Sequence, residues 1–341
     1  MNKLYLIGNG FDLAHGLKTR YSDFLLWYIN KSIKVYNYSN SNIYEDDLMI
    51  LDSNGYKMTE FDSLSSFKEY LNKSRLTFQP KNFLFGRILN KADELNWVDI
   101  EYEYYLVLLT LYRKIEKHNS TKFDGSDKLI KDVNICFDLL KDQLIEYLHT
   151  IKIQSNNQEI ESRFNSELNK NAIDKVLFLV FNYTNTIELY LKSLKMKSHK
   201  LIYIHGQLNE KRNPIIFGYG DEMDEYYKKI ESLNLNEFLK NMKAFHYLKT
   251  PNYKNLTRFI NDGDYTVSIM GHSCGLSDRV LLNSIFCHQN CRGIRIFYYQ
   301  KSENENDFFE KTQEISRHFT DDHKNRMRNL IVPLTASLPL S

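Results

Sequence analysis

The sequence predicts an α/β protein whose mostly parallel sheet is interrupted by a large helical insertion. Three observations predict it. Short β-type apolar runs recur along the chain, several bounded by Gly, Asn or Asp; about 165 mainly helical residues separate the first run from the second; and a glycine turn follows the first run and opens a helix. The runs lie at 3–7, 175–181, 201–204, 215–217, 266–270 and 294–299. Near-continuous apolar runs of this length are the pattern of strands covered on both faces.

The first run, Leu4-Tyr5-Leu6-Ile7, passes into Gly8-Asn9-Gly10-Phe11-Asp12-Leu13-Ala14-His15-Gly16. Glycines allow a tight turn and close approach of a ligand, and the start of a helix favours an anion, so this turn is a place for a nucleotide phosphate. In the dinucleotide fingerprint the third glycine comes three residues after the second; Leu13 stands there and the third glycine waits until position 16. An ordinary NAD dehydrogenase is therefore disfavoured.

The connection between the first two runs is far longer than a usual crossover and reads as an inserted helical subdomain over 31–165. The core then comprises 1–30 with 166–300, and 301–341 forms a C-terminal extension. Within the insertion, Leu129, Val133, Phe137, Leu140, Leu144 and Tyr147 recur at helical steps and predict a helix over about 127–149. Tyr105, Leu108, Leu109 and Tyr112 predict another over about 99–117. Residues 37–62 and 118–127 read as exposed loops, 222–262 as a second helical excursion, and 301–329 as charged and either helical or loosely packed.

Composition sets further bounds. With 42% hydrophobic residues the chain can bury a core, and 45 Lys+Arg against 43 Asp+Glu leave no global field for nucleic acid, so direct nucleic-acid binding is not expected. No apolar run of about 18 residues predicts a membrane span. Four cysteines, with no CxxC pair and no signal-peptide pattern ahead of them, fit reduced thiols in the cytoplasm. Cys274, Cys287, His288 and Cys291 match no standard zinc spacing, and no metal site is expected.

Three further polar segments stand where predicted strands end: Phe181-Asn182-Tyr183-Thr184, Ile204-His205-Gly206 and Met270-Gly271-His272-Ser273. In an open parallel sheet such exits converge on one crevice, the general ligand site of that architecture. Their order resembles the sirtuin superfamily. The first segment resembles more closely the AbiH family of abortive-infection phage-defence proteins, on Ile7-Gly8-Asn9-Gly10-Phe11-Asp12 with Gly16, Tyr21 and Phe24, then Trp97-Val98-Asp99-Ile100-Glu101, Asn182-Tyr183, His205-Gly206 and Gly271-His272-Ser273.

The resemblance implies a sirtuin-like, Rossmann-like core with an NAD site used for glycosidic cleavage rather than hydride transfer. NAD is then the substrate, nicotinamide and ADP-ribose are the products, and no further cofactor is required. Carried over by residue, Asn182 orients the attacking water or the ribose, and His205 is general base or ribose partner. Gly8, Asn9, Gly10, Asp12, Gly16, Gly206, Gly271 and Ser273 make the nucleotide-binding set, with Asp12 in a place where deacetylating sirtuins carry a small hydroxyl residue. Those enzymes also have a four-cysteine zinc module and an acidic residue two positions after the loop Asn; this chain has no such module and carries Thr184 there, so NAD hydrolysis is favoured over deacetylation. A phage-derived trigger, with restraint by the insertion, by a homo-oligomer or by a regulatory partner, completes the expectation.

Other readings of the same residues remain. Gly8-Asn9-Gly10 suits a ligand-free tight turn, Asn182 suits the N-cap of a helix starting at Thr184, His205 suits a hydrogen-bonded turn, and His272 suits a structural role. The crevice could sense NAD or ADP-ribose without cleaving it. Arg113 and His118 have the Arg-x4-His spacing that resembles HEPN ribonucleases.

Overall fold

The computed structural model describes all residues except 40, 74, 75, 96–98, 118–125, 154, 169–172, 195 and 197. The chain forms two compact units, one of Met1–Lys18, Ile151–Asp224 and Met242–Ser341, the other of Thr19–Thr150 and Glu225–Asn241.

The first unit is built on six strands: β1 (Asn2–Ile7), β2 (Val176–Val180), β3 (His199–Tyr203), β4 (Tyr265–Met270), β5 (Cys291–Tyr298) and β6 (Leu338–Pro339). They pair in parallel in the order β6-β5-β4-β1-β2-β3, so successive connections run to one side as far as β3 and to the other from β4 onward. The reversal falls between β1 and β4, and the ends of the strands beside such a reversal are the general ligand site of open parallel sheets.

Alternation along each strand serves two cores. Leu4, Leu6, Leu177, Leu179, Val267, Ile269, Ile294 and Ile296 face one side, packed with Leu256 and Phe259, Leu281 and Ile285, and Ile315 from helices Asn252–Asn261, Arg279–Phe286 and Phe308–Ser316. Tyr5, Ile7, Phe178 and Val180 face the other, against Ile160 and Phe164 of helix Gln158–Leu168 and Tyr190 of the short helix Glu188–Leu191. Tyr5 stacks on Phe178 with ring centroids 5.1 Å apart, and Phe164 meets both rings edge-on. Lys3, a charge within β1, is buried because Glu167 lies 2.9 Å away and is also paired with Arg295.

In the second unit the helices Ile100–Lys117 and Ser126–His149 stand within one residue of their predicted spans. Helix Tyr21–Tyr38 buries Phe24, Leu25, Tyr28, Ile29 and Ile33, and its Lys31 pairs with Glu146.

Several expectations are corrected. The units divide at 18/19 and 150/151 rather than at 30/31 and 165/166, because helix Tyr21–Tyr38 belongs wholly to the second unit and helix Gln158–Leu168 covers the sheet of the first. Segment 37–62 is not simply loop: Met49–Asp52 pairs with Ile43–Glu45 on one side and Thr77–Pro80 on the other as a small antiparallel sheet, and the alternation that buries Met49 and Leu51 is too short to stand out from its polar surroundings. Residues 215–217 form no strand; the Ile216 N–H instead donates to the His205 carbonyl at 2.8 Å. The tail is part of the sheet unit, contributing Ile315, Met327 and Leu330 to its core and β6 to its edge. The loop expected at 118–127 lies outside the described residues up to 125.

Candidate functional site

Strand register places the four polar exits at one level. Ile7 pairs with Val180 and Met270, and Val180 pairs with Tyr203. Two residues beyond that row stand Asn9, Asn182, His205 and His272. Asn9 and Ser273 are exposed at the mouth, whereas Asn182, His205 and His272 are buried.

The glycines of the first exit have a packing reason. A Cβ on Gly8 would stand 2.4 Å from His272 Cα, and one on Gly10 would stand 2.8 Å from Gly271 Cα. Gly271 has φ +77° and Gly206 φ +85°, the latter with the Pro214 carbonyl oxygen 2.2 Å from where its Cβ would be. The β1 and β4 exits therefore touch backbone to backbone, which side chains there would prevent. The Gly10 N–H donates to the Gly271 carbonyl at 2.8 Å and the Phe11 N–H to the Gly8 carbonyl at 2.8 Å. Of the residues expected to cradle a diphosphate, Gly10 therefore has its amide engaged within the protein, as has Gly8, whose N–H donates to the Met270 carbonyl at 3.1 Å. The helix that follows the turn is only Asn9–Leu13, with Ala14 at its C-cap, and Gly16 beyond it has φ +72° and nothing within 4 Å of where a Cβ would stand.

Behind the turn lies a first polar cluster. Asp12 is buried; its Oδ2 accepts a 2.6 Å hydrogen bond from the Thr184 hydroxyl, to which the Thr186 hydroxyl donates in turn at 3.3 Å. Asp12 Oδ1 and Asn182 Nδ2 are buried without a hydrogen-bond partner. Burial raises the Asp12 pKa, and the neighbouring Thr184, Thr186 and Asn182 offset part of that rise. No helix starts at Thr184, so Asn182 caps none; the next helix is Glu188–Leu191, with Ile187 at its N-cap.

A second cluster centres on Asp278. Its Oδ1 lies 2.9 Å from Lys243 Nζ and 3.0 Å from His205 Nε2, and its Oδ2 lies 3.6 Å from His272 Nε2. All four residues are buried, Lys243 completely. The Tyr247 hydroxyl is 3.2 Å from His205 Nε2, and the ring of Phe181 packs against both imidazoles. Burial lowers the pKa of both histidines, and the Lys243 charge lowers that of His205 further. Burial alone would raise the Asp278 pKa, but the Lys243 ammonium and the two imidazoles beside it hold it well below the usual carboxylate range. The pair Asp278–Lys243 is thus ionised beside two neutral imidazoles.

Asp278 and Lys243 were not legible as site residues. Asp278 occupies the N-cap position of helix Arg279–Phe286, where Asp is ordinary, yet its side chain makes no capping bond and turns inward. That missing cap is visible only in three dimensions. Lys243 lies among the scattered lysines of 222–262, with nothing to mark it as buried.

Asp99 caps helix Ile100–Lys117 by accepting the Tyr102 N–H at 3.0 Å, and Glu101 is buried in the second unit. Trp97, Val98 and His118 lie outside the described residues; Arg113 lies over the Tyr226 ring, 5.0 Å from its centroid. Among the described residues no three His, Cys, Asp or Glu side chains are grouped to hold a metal ion, and no helix is long and apolar enough to cross a membrane.

Fold and site together define a parallel α/β protein with a buried acid–base cluster at the reversal of its strand order. The family model described as bacteriophage abortive infection AbiH matches residues 4–300, and the chain belongs to that family. Membership carries a role in abortive infection of phage. No curated protein sequence matches the chain.

Proposed function

We propose that the chain acts in abortive infection by cleaving NAD to nicotinamide and ADP-ribose at the sirtuin-like crevice. The observation that carries this reading is the placement of Asn182 and His205 two residues beyond the paired ends of neighbouring strands, beside the reversal of a sheet whose order, counted from its far edge, is 3-2-1-4-5-6. That order is the one found in dinucleotide-binding sheets. Breaking the bond between ribose C1′ and nicotinamide passes through an oxocarbenium-like state, which a positioned amide and a neutral imidazole in a dry pocket can serve. Asn182 orients the ribose or water through its buried side-chain amide, and His205 takes the proton of the attacking water.

Cleavage of the substrate in the resting cell would be lethal, so activity waits on a phage-derived trigger, in the cytoplasm where NAD and phage replication meet. A second reading is binding of NAD or ADP-ribose at the same strand exits without cleavage. The test is mass spectrometry of NAD, nicotinamide and ADP-ribose in cells carrying wild type, Asn182→Ala or His205→Gln, before and after phage challenge, with soluble expression matched. NAD loss with equal product, seen in protected wild-type cells and absent in both variants, is expected. Protection with unchanged NAD would refute cleavage, and calorimetric binding of NAD to the purified protein would then establish the sensor.

A further inference from the structure

Resting on that reading of the crevice, the geometry points to Asp278 as the positioning residue that fixes His205 as its Nε2–H tautomer and so makes Nδ1 the proton-accepting atom, with Lys243 as the counter-ion that keeps Asp278 charged. A carboxylate oxygen offers only lone pairs, and Asp278 Oδ1 already accepts from Lys243 at 2.9 Å. An imidazole nitrogen 3.0 Å from that oxygen is stable there only if it carries a hydrogen. The Tyr247 hydroxyl, 3.2 Å from the same nitrogen, can rotate its own hydrogen away and accept as well.

His272 cannot take the role. Its Nδ1 accepts the Cys274 N–H at 2.9 Å, so its hydrogen sits on Nε2, facing Asp278 Oδ2 at 3.6 Å. Both of its nitrogens are therefore committed. Of the two buried imidazoles around one carboxylate, His205 alone keeps a ring nitrogen for chemistry, and Asp278 decides which one. In the reaction, water oxygen bonds to C1′, the C1′–N electron pair leaves with nicotinamide as the ring becomes neutral, and the water proton passes to Nδ1.

The role is tested on full-length protein with 15N-labelled histidine, using long-range proton–nitrogen correlations, with His205→Gln to assign the signal. The variants are Asp278→Asn and, because that change leaves the Lys243 ammonium without its carboxylate, Asp278→Asn with Lys243→Met. Wild type is expected to hold His205 as Nε2–H across neutral pH. Both variants are expected to lose that preference and to lower NAD cleavage by about 10²–10⁴-fold, the scale of a misplaced general base. A wild-type His205 protonated on Nδ1, or a tautomer unchanged in the double variant, would overturn the assignment. A tautomer that responds as expected in a protein that never cleaves NAD would leave Asp278 as the positioning residue and refute the cleavage instead.

Discussion

Lys243→Met tests whether the buried ion pair holds the site together. Methionine keeps the length of the stem and removes a completely buried ammonium 2.9 Å from Asp278. Breaking a buried pair by removing one partner costs about 3–5 kcal/mol, because the remaining charge keeps its desolvation penalty. His205 can return part of that loss. It lies 3.0 Å from the same oxygen, and the Lys243 charge is one of the causes that hold its pKa down. Without that charge its folded-state pKa rises and an imidazolium replaces the ammonium as counter-ion. The folded variant then binds more protons than folded wild type on the acid side, so its deficit narrows as pH falls and is greatest on the alkaline side. The deficit should be about 3–5 kcal/mol near pH 8 and smaller near pH 5.5. Hydrogen exchange of the β1, β2 and β4 amides, corrected for intrinsic rates at each pH, reads the opening free energy of this unit directly. A deficit below about 1 kcal/mol at every pH, or one that widens on acidification, would refute the reasoning. The double change Lys243→Met with Asp278→Leu should recover most of the stability, since apolar replacement of a whole buried pair is often neutral.

Other outcomes follow from the same geometry. Burial pushes the His318 pKa down from 6.5 to about 4, so its neutral form contributes stability above the unfolded value that is lost as pH falls toward 4. A gap of that size corresponds to roughly 3 kcal/mol, and His318→Gln, which can still donate to the Cys274 carbonyl, should flatten the acid limb of a stability–pH curve by an amount of that order. Gly8→Ala forces backbone apart and should lower stability by about 3 kcal/mol or more in thermal unfolding, while Gly16→Ala meets open space and pays only its left-handed φ, about 1–2 kcal/mol; equal losses would remove the packing explanation. Asp12→Asn keeps an acceptor for Thr184 and relieves a carboxyl whose pKa burial raises, so stability at pH 7 should change by no more than about 1 kcal/mol while NAD cleavage falls; a large loss in urea denaturation would make Asp12 structural.

The sequence by itself determined the parallel strands, the polar exits at their ends and the long helices of the second unit, because these rest on local rules. Strands covered on both faces need uninterrupted apolar residues such as Val176–Val180, and a helix needs its apolar side chains at helical steps. The candidate pair Asn182 and His205 was legible as a pair of polar strand exits for the same reason, since each stands two residues beyond the end of a strand. Weak local signals failed: the two-residue strand β6 and the three- and four-residue strands at 43–52 carry too few residues to show a period. Tertiary structure alone decided that Gly8 and Gly10 are required by Gly271 and His272, some 260 residues away in the chain, rather than only by a ligand. It alone converted Asp278 from a helix cap into the hub of a buried cluster and Lys243 from one lysine among many into its counter-ion. Burial of a charge depends on what closes over it, and that is set by packing between segments distant in sequence.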